Sequence, residues 1–275
     1  MNLRRALALL PWLLWLVPAA FAGRYSGPGD IIARAQWKAL PVIESEVPGE
    51  AIVRMPKVSF VTIHQTESAT PANDPASEQE TLRRLQRLLQ DGKLDPATGR
   101  RVNRMGDIAY HYLIMPSGRV YEGRSAQFQT NSNTSYLSTS ERLKSPRFSR
   151  QESEADKEAA PWGGVKVVSK QPRPGAVDGH LCIAFVGNYT RELPPQAALD
   201  SFVALLADLL HQHHLTVRDV LTHRELASTD CPGEPLYLWL RNPPADPQPG
   251  EYGLGQGLAL AEAALKSKTR RSTAP

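Results

Sequence analysis

Apolar and polar positions along the chain sort into two periods. "KVSFVTIHQTES" is a β-branched apolar run that turns polar at its end, and it predicts a buried strand over Val58 to Ile63 with His64 at its end. "ASEQETLRRLQRLLQDG" has the helical period. Leu82, Leu85 and Leu89 make an apolar stripe, Ser77 and Glu80 read as a capping box, and Gly92 as the stop. "DIAYHYLIMPSGRVYEGR" predicts a hairpin, with a strand over Ile108–Met115, a turn at Pro116-Ser117-Gly118, and a second strand over Arg119–Tyr121. "HLCIAFVGN" is a further buried strand. "PPQAALDSFVALLADLLHQHH" is a long helix with prolines at its start and histidines at its end. "EPLYLWL" reads as a short apolar helix. The order strand, helix, hairpin, strand, helix argues for an α/β domain, a central mixed β-sheet flanked by α-helices.

The flanks read differently. "MNLRRALALLPWLLWLVPAAFAG" has a basic start, an apolar run broken by Pro11 and Pro18, and an Ala20-Phe21-Ala22 cleavage pattern. These are the parts of a secretory signal peptide over residues 1–22, so the mature protein is expected to be exported, periplasmic or secreted, with no membrane span left after cleavage. Residues 23–30 read as a linker. The domain then covers 31–240, with a long polar insertion over 125–178 that carries a helical piece near 150–160. Residues 241–275 read as a Pro-rich linker and tail that includes a weak helix at "LGQGLALAEAALKSKTRR".

Composition changes this picture little, since 41% hydrophobic and 22% charged residues are ordinary for a globular chain. The formal charge of +4 drops to +2 when Arg4 and Arg5 leave with the signal peptide. So small a charge gives no case for nucleic-acid binding.

Candidate chemistry lies in the histidines and in two cysteines, Cys182 and Cys231. A disulfide between the two is one reading for an exported protein. Cys182 also fits a buried strand as a small hydrophobe. His211, His213 and His214 sit where a helix end favours positive charge, and His180, at a strand start, reads as structural. His64 and His223 differ, because each follows an apolar run and opens a polar loop, as Cys231 sits in one. Two imidazoles and a thiolate are the ligand set of an open, catalytic zinc site. On spacing alone, that site and scattered structural roles both stay open.

"THRELASTDCPGEPLY" resembles the C-terminal metal motif of the family of N-acetylmuramoyl-L-alanine amidases and peptidoglycan-recognition proteins. "VTIHQTES" is similar to its first metal motif, "DIAYHYLIMPSGRVYEGR" to its central hairpin and "LCIAFVGN" to the strand after it. "IIARAQWKALP" is similar to the Arg–Trp segment that opens the recognition domain. The resemblance spans about residues 31 to 240. It implies a single zinc-amidase domain with His64, His223 and Cys231 as ligands of Zn2+, Tyr110 as the catalytic tyrosine, and Thr229 near the bound substrate. His111, beside Tyr110, is expected as packing or as a substrate-binding cleft wall. The implied reaction is hydrolysis of the amide between the lactyl group of N-acetylmuramic acid and L-alanine, with peptidoglycan or muropeptides as substrate. The alternative within the family is a non-catalytic peptidoglycan-binding protein, a role of members that lack the metal cysteine. Departures are the long insertion, unrecognisable Gly-His-type residues before "HLCIAFVGN", and Gln65 where many members carry histidine or tyrosine.

Overall fold

A five-stranded sheet forms the centre of the computed structural model, which describes residues 25–43, 52–130, 179–241 and 254–272 apart from positions 26, 28, 29, 53, 56, 103, 227 and 228. The expected signal peptide and most of the insertion lie outside the described residues. The strands are β1 (Phe60–Gln65), β4 (Tyr112–Ile114), β5 (Val120–Glu122), β6 (His180–Phe185) and β7 (Val220–Thr222), in spatial order β5-β4-β6-β1-β7. β4, β6, β1 and β7 run parallel, and β5 joins β4 as an antiparallel edge. β2 (Lys93–Leu94) and β3 (Arg101–Val102) form a separate small ribbon. The sheet is therefore mixed, with helices on both faces, as the order of sequence patterns implies.

Alternation sorts the strands into two sides. Val61, Ile63, Leu181, Ile183, Phe185 and Val220 enter one core with helix α2 (Gln196–His213), through Phe202, Leu205, Leu206 and Leu209. On the other side Leu113 packs with Leu82 of helix α1 (Pro75–Asp91) and with Trp37, Ile108, Met115 and Tyr121. The hairpin turns at Gly118, whose φ of 87° and closeness to the Ala197 carbonyl, 2.6 Å from an added Cβ, require glycine.

Helix α1 departs from its sequence reading in two ways. Asp74, not Ser77, caps it: the Asp74 carboxylate accepts the Ser77 N–H at 2.9 Å. Glu80 instead pairs with Arg83 and Arg87 along the exposed side. The buried row is Glu78, Leu82, Gln86 and Gln90, while Leu85 and Leu89 are only partly buried. Three polar residues can occupy that row because each is satisfied. Glu78 receives the Tyr121 hydroxyl at 2.8 Å and Arg119 at 3.2 Å. Gln86 binds Asp107 and the Leu40 backbone, and Gln90 donates to the carbonyls of Pro41 and Gly106.

Two flanking segments belong to the fold. Ile32 bonds to the Val120 carbonyl and receives the Glu122 N–H, which covers the β5 edge, while Trp37 donates to the Glu122 carbonyl at 2.8 Å. At the other end, helix α3 (His223–Leu226), helix α4 (Glu234–Arg241) and helix α5 (Gln256–Ser272) follow β7. The sequence pattern places α5 in a tail. Instead its Leu258 and Ala261 are buried in the α2 core, and its Lys268 pairs with Asp208 of α2 at 2.7 Å. No described helix is long and apolar enough to cross a membrane.

Candidate metal centre

Parallel strands present their carboxyl ends at one rim, where open α/β sheets place ligand-binding residues. β1 and β7 are neighbours with Ile63 opposite Thr222, so the next residues, His64 and His223, come side by side. Their ring centroids are 4.7 Å apart. His64 lies one residue inside the end of β1, which runs to Gln65, rather than just beyond it. His223 is the first residue of α3.

The loop after α3 returns Cys231 to the same point. Its Sγ lies 3.7 Å from Nδ1 of His64 and receives the Gln65 backbone N–H at 3.3 Å. The loop is held from several directions. Arg224 N–H donates to the Cys231 carbonyl at 2.9 Å, and Thr229 Oγ1 accepts the Cys231 N–H at 3.2 Å. The Cys231–Pro232 peptide is cis. Gly233 follows with φ 99°, and a Cβ there would come within 2.1 Å of the Tyr189 carbonyl. The Tyr189 N–H in turn donates to the side-chain oxygen of Gln65. Gln65, the departure noted in the first motif, thus ties β1 to both loops at the rim.

The candidate ligand atoms of His64, His223 and Cys231 all lie within 4.8 Å of one another. Burial pushes His223 down to about 4, so the imidazole is neutral at pH 7, the form that coordinates. Its Nε2 is buried with no hydrogen-bond partner among the described residues. Burial raises the Cys231 thiol to about 12, and the Gln65 N–H acts against that rise. A buried nitrogen lacking a partner, beside a second imidazole and a sulfur, fits a thiophilic divalent cation such as zinc.

Tyr110 joins this group, its ring 5.4 Å from that of His64. Burial, then the nearby Cys231, Cys182 and Glu67, raises its phenol above the ordinary value and keeps it protonated. Thr229 sits in the Cys231 loop, partly exposed. His111 is buried, its Nδ1 accepts the Cys182 N–H at 2.8 Å and its Nε2 donates to the Phe128 carbonyl at 2.8 Å. Both nitrogens are engaged, and the ring joins the hairpin to β6 and to the segment at 128. His180 is also buried, with Nδ1 2.6 Å from the Thr62 hydroxyl and its ring stacked on Phe60. Neither cysteine is in a disulfide. His211 and His213 lie in the last turn of α2 and His214 caps it.

Two residues of the site's surroundings were not read from the sequence, Glu225 and Arg241. Glu225 accepts the Thr222 N–H at 2.6 Å and pairs with Arg241 at 2.8 Å. A signal for the first was present, since Thr222-His223-Arg224-Glu225 has the T-x-x-E spacing of a capping box.

A mixed α/β sheet carrying a largely buried His/His/Cys cluster at its rim defines a candidate metal-site protein, and comparison with known proteins gives the family. The model of the N-acetylmuramoyl-L-alanine amidase family matches residues 54–234, well over half of the chain, and the chain belongs to that family. Peptidoglycan-recognition protein SD of Drosophila simulans is 28% identical over 238 residues, covering 86% of this chain and 97% of that one. An N-acetylmuramoyl-L-alanine amidase of Sus scrofa is 27% identical over 231 residues, covering 82% of this chain but 29% of that longer protein. Among solved structures, Drosophila peptidoglycan-recognition protein SD superposes with a TM-score of 0.47 at 26% identity, covering 75% of this chain and 90% of the other.

Proposed function

We propose that the protein is an exported, zinc-dependent N-acetylmuramoyl-L-alanine amidase. It acts on peptidoglycan or muropeptides, cutting between the lactyl group of N-acetylmuramic acid and L-alanine. The observation that carries this reading is the convergence of His64, His223 and Cys231 within 4.8 Å, with Tyr110 beside them. His64, His223 and Cys231 would hold the zinc, which would supply Lewis-acid chemistry and activate a water at neutral pH.

The chain's own residues do the rest. The amide oxygen gains negative charge as the carbonyl carbon turns tetrahedral. Tyr110, kept protonated by its burial, donates a hydrogen bond to that oxygen or passes a proton toward the leaving nitrogen. Thr229 accepts the Cys231 N–H with its oxygen, which leaves its own O–H to donate toward the substrate. Loss of one such donor costs on the order of 10²–10³ in kcat.

A binding role without cleavage is the second reading, and the likeness to a peptidoglycan-recognition protein over nearly that protein's whole length favours it. Mass spectrometry of the soluble products from purified sacculi separates the two. The unaltered protein with zinc should release stem peptides beginning at L-alanine, and Cys231→Ala should release none. Tyr110→Phe should keep zinc and lose most of the rate. Zinc-loaded protein that pulls down sacculi without releasing peptide would establish the binding role instead.

A further inference from the structure

The geometry points to the buried Arg241–Glu225 ion pair as the device that positions the two C-terminal metal ligands, His223 and Cys231. This rests on the reading of those residues, with His64, as the zinc site.

Glu225 and Arg241 are both buried, with side chains 6% and 7% exposed. Arg241 meets the carboxylate with two nitrogens, Nε to Oε1 at 2.8 Å and Nη2 to Oε2 at 3.0 Å. The same Oε2 accepts the Thr222 N–H at 2.6 Å and the Thr222 hydroxyl at 3.1 Å. One carboxylate therefore joins the end of β7, the single turn of α3 and the end of α4. Thr222 directly precedes His223, so the anchor lies on the peptide that carries the imidazole.

Two observations and one general property of buried ion pairs give this anchor a role beyond folding. His223 Nε2 has no hydrogen-bond partner among the described residues, so no protein bond aims that nitrogen. The ring's direction follows from where the backbone sets it. α3 also carries the Arg224 N–H that holds the Cys231 carbonyl at 2.9 Å, so its placement governs the second ligand too. Finally, buried ion pairs contribute little net stability compared with apolar residues of similar volume. What four charge-assisted bonds on one carboxylate do give is a fixed geometry. Arg241 lies past the end of the family match at 234, so this half of the pair is not part of the matched span. The residue before α5 meets the same end of α4, since Gly255 N–H bonds the Leu240 carbonyl at 2.9 Å.

The test uses the full mature chain with Glu225→Gln, Arg241→Lys and the double variant Glu225→Leu/Arg241→Leu. Glu234→Gln, which removes the exposed partner of Arg224, is the control. Zinc affinity is read by competition with a chromophoric chelator, ligand geometry by the absorption bands of the cobalt-loaded protein, and folding by thermal unfolding of the metal-free chain. Expected is a 10–100-fold weaker zinc affinity for Glu225→Gln and for the double variant, with shifted cobalt bands. Arg241→Lys should fall between these and the unaltered protein, because the charge stays and the fork is lost. The double variant should still fold cooperatively, and the control should bind zinc normally. Variants that fold and keep normal zinc affinity and cobalt bands would overturn the inference. So would zinc affinity that falls only in step with lost stability. If the unaltered protein binds no zinc, the metal-site reading and this inference both fall. If it binds zinc but cleaves nothing, only the amidase reading falls, and the affinities still decide the inference.

Discussion

Acidification of the metal-free protein should cost it stability through two histidines that are not metal ligands. Burial pushes His111 to about 4, and burial with the nearby His111 pushes His180 to about 3. Each is held neutral by its contacts. The Nδ1 of His111 must stay unprotonated to accept the Cys182 N–H, and His180 is enclosed between Phe60 and Thr62. In the unfolded chain both take up a proton near pH 6.5. Above that pH the two states bind equal protons and these residues add no pH dependence. Below it only the unfolded state gains protons, so stability falls with pH until the folded values near 4 and 3 are passed. Between pH 8 and pH 5 the loss is about 2 kcal/mol per histidine, from about 1.5 pH units at about 1.4 kcal/mol each. About 4 kcal/mol together is a large part of the 5–15 kcal/mol typical of a domain. His223, at about 4, adds to the total in the absence of metal, so the decisive quantity is a difference between variants. Glutamine can make both bonds of His111 without titrating. Urea unfolding at pH 8, 6.5 and 5, with a chelator present, should show a pH-dependent loss about 2 kcal/mol smaller in His111→Gln than in the unaltered protein. His180→Gln should show the same reduction. These differences should hold whatever the variant's stability at pH 8. Equal losses in all three proteins, or a flat profile down to pH 5, would refute the argument.

Zinc at about 100 times its dissociation constant should stabilise the protein by about 2.7 kcal/mol, seen as a higher Tm that a chelator reverses and that Cys231→Ala never shows. Gly233→Ala places a Cβ 2.1 Å from the Tyr189 carbonyl at a φ of 99°, so it should cost at least about 1–3 kcal/mol by denaturant titration and weaken zinc binding as the Cys231 loop shifts. Leu258→Ala should cost about 2–5 kcal/mol by the same titration, because α5 belongs to the α2 core, whereas a change in a detached tail would stay within about 0.5 kcal/mol.

Which parts were legible follows from what each depends on. β1, β6, the hairpin and α2 bury apolar residues at their own period, so each announces itself without its partners. Polar burial is invisible to that reading. Glu78, Gln86 and Gln90 form the inner row of α1 only because Tyr121, Asp107 and the 40–41 backbone come to meet them, from elements far along the chain. The cap of α1 is ambiguous in sequence for a related reason. Both Asp74 and Ser77 are good capping residues, and the choice fell to Asp74 with Pro75 after it in the first turn, the position proline favours. In the site, the donor types and the loop positions of His64, His223 and Cys231 were visible in the sequence. Their adjacency was not, because it depends on β1 pairing with β7 in the register that sets Ile63 opposite Thr222. A shift of one residue would turn His64 to the α2 face, into the core of Phe185 and Phe202. That register is itself held at the rim, by Gln65 toward the Cys231 and Tyr189 loops and by Glu225 toward Thr222. The residues that the motifs pass over thus fix the geometry on which the three ligand residues depend, and a charged pair such as Arg241 and Glu225 reads as surface until its partners are known.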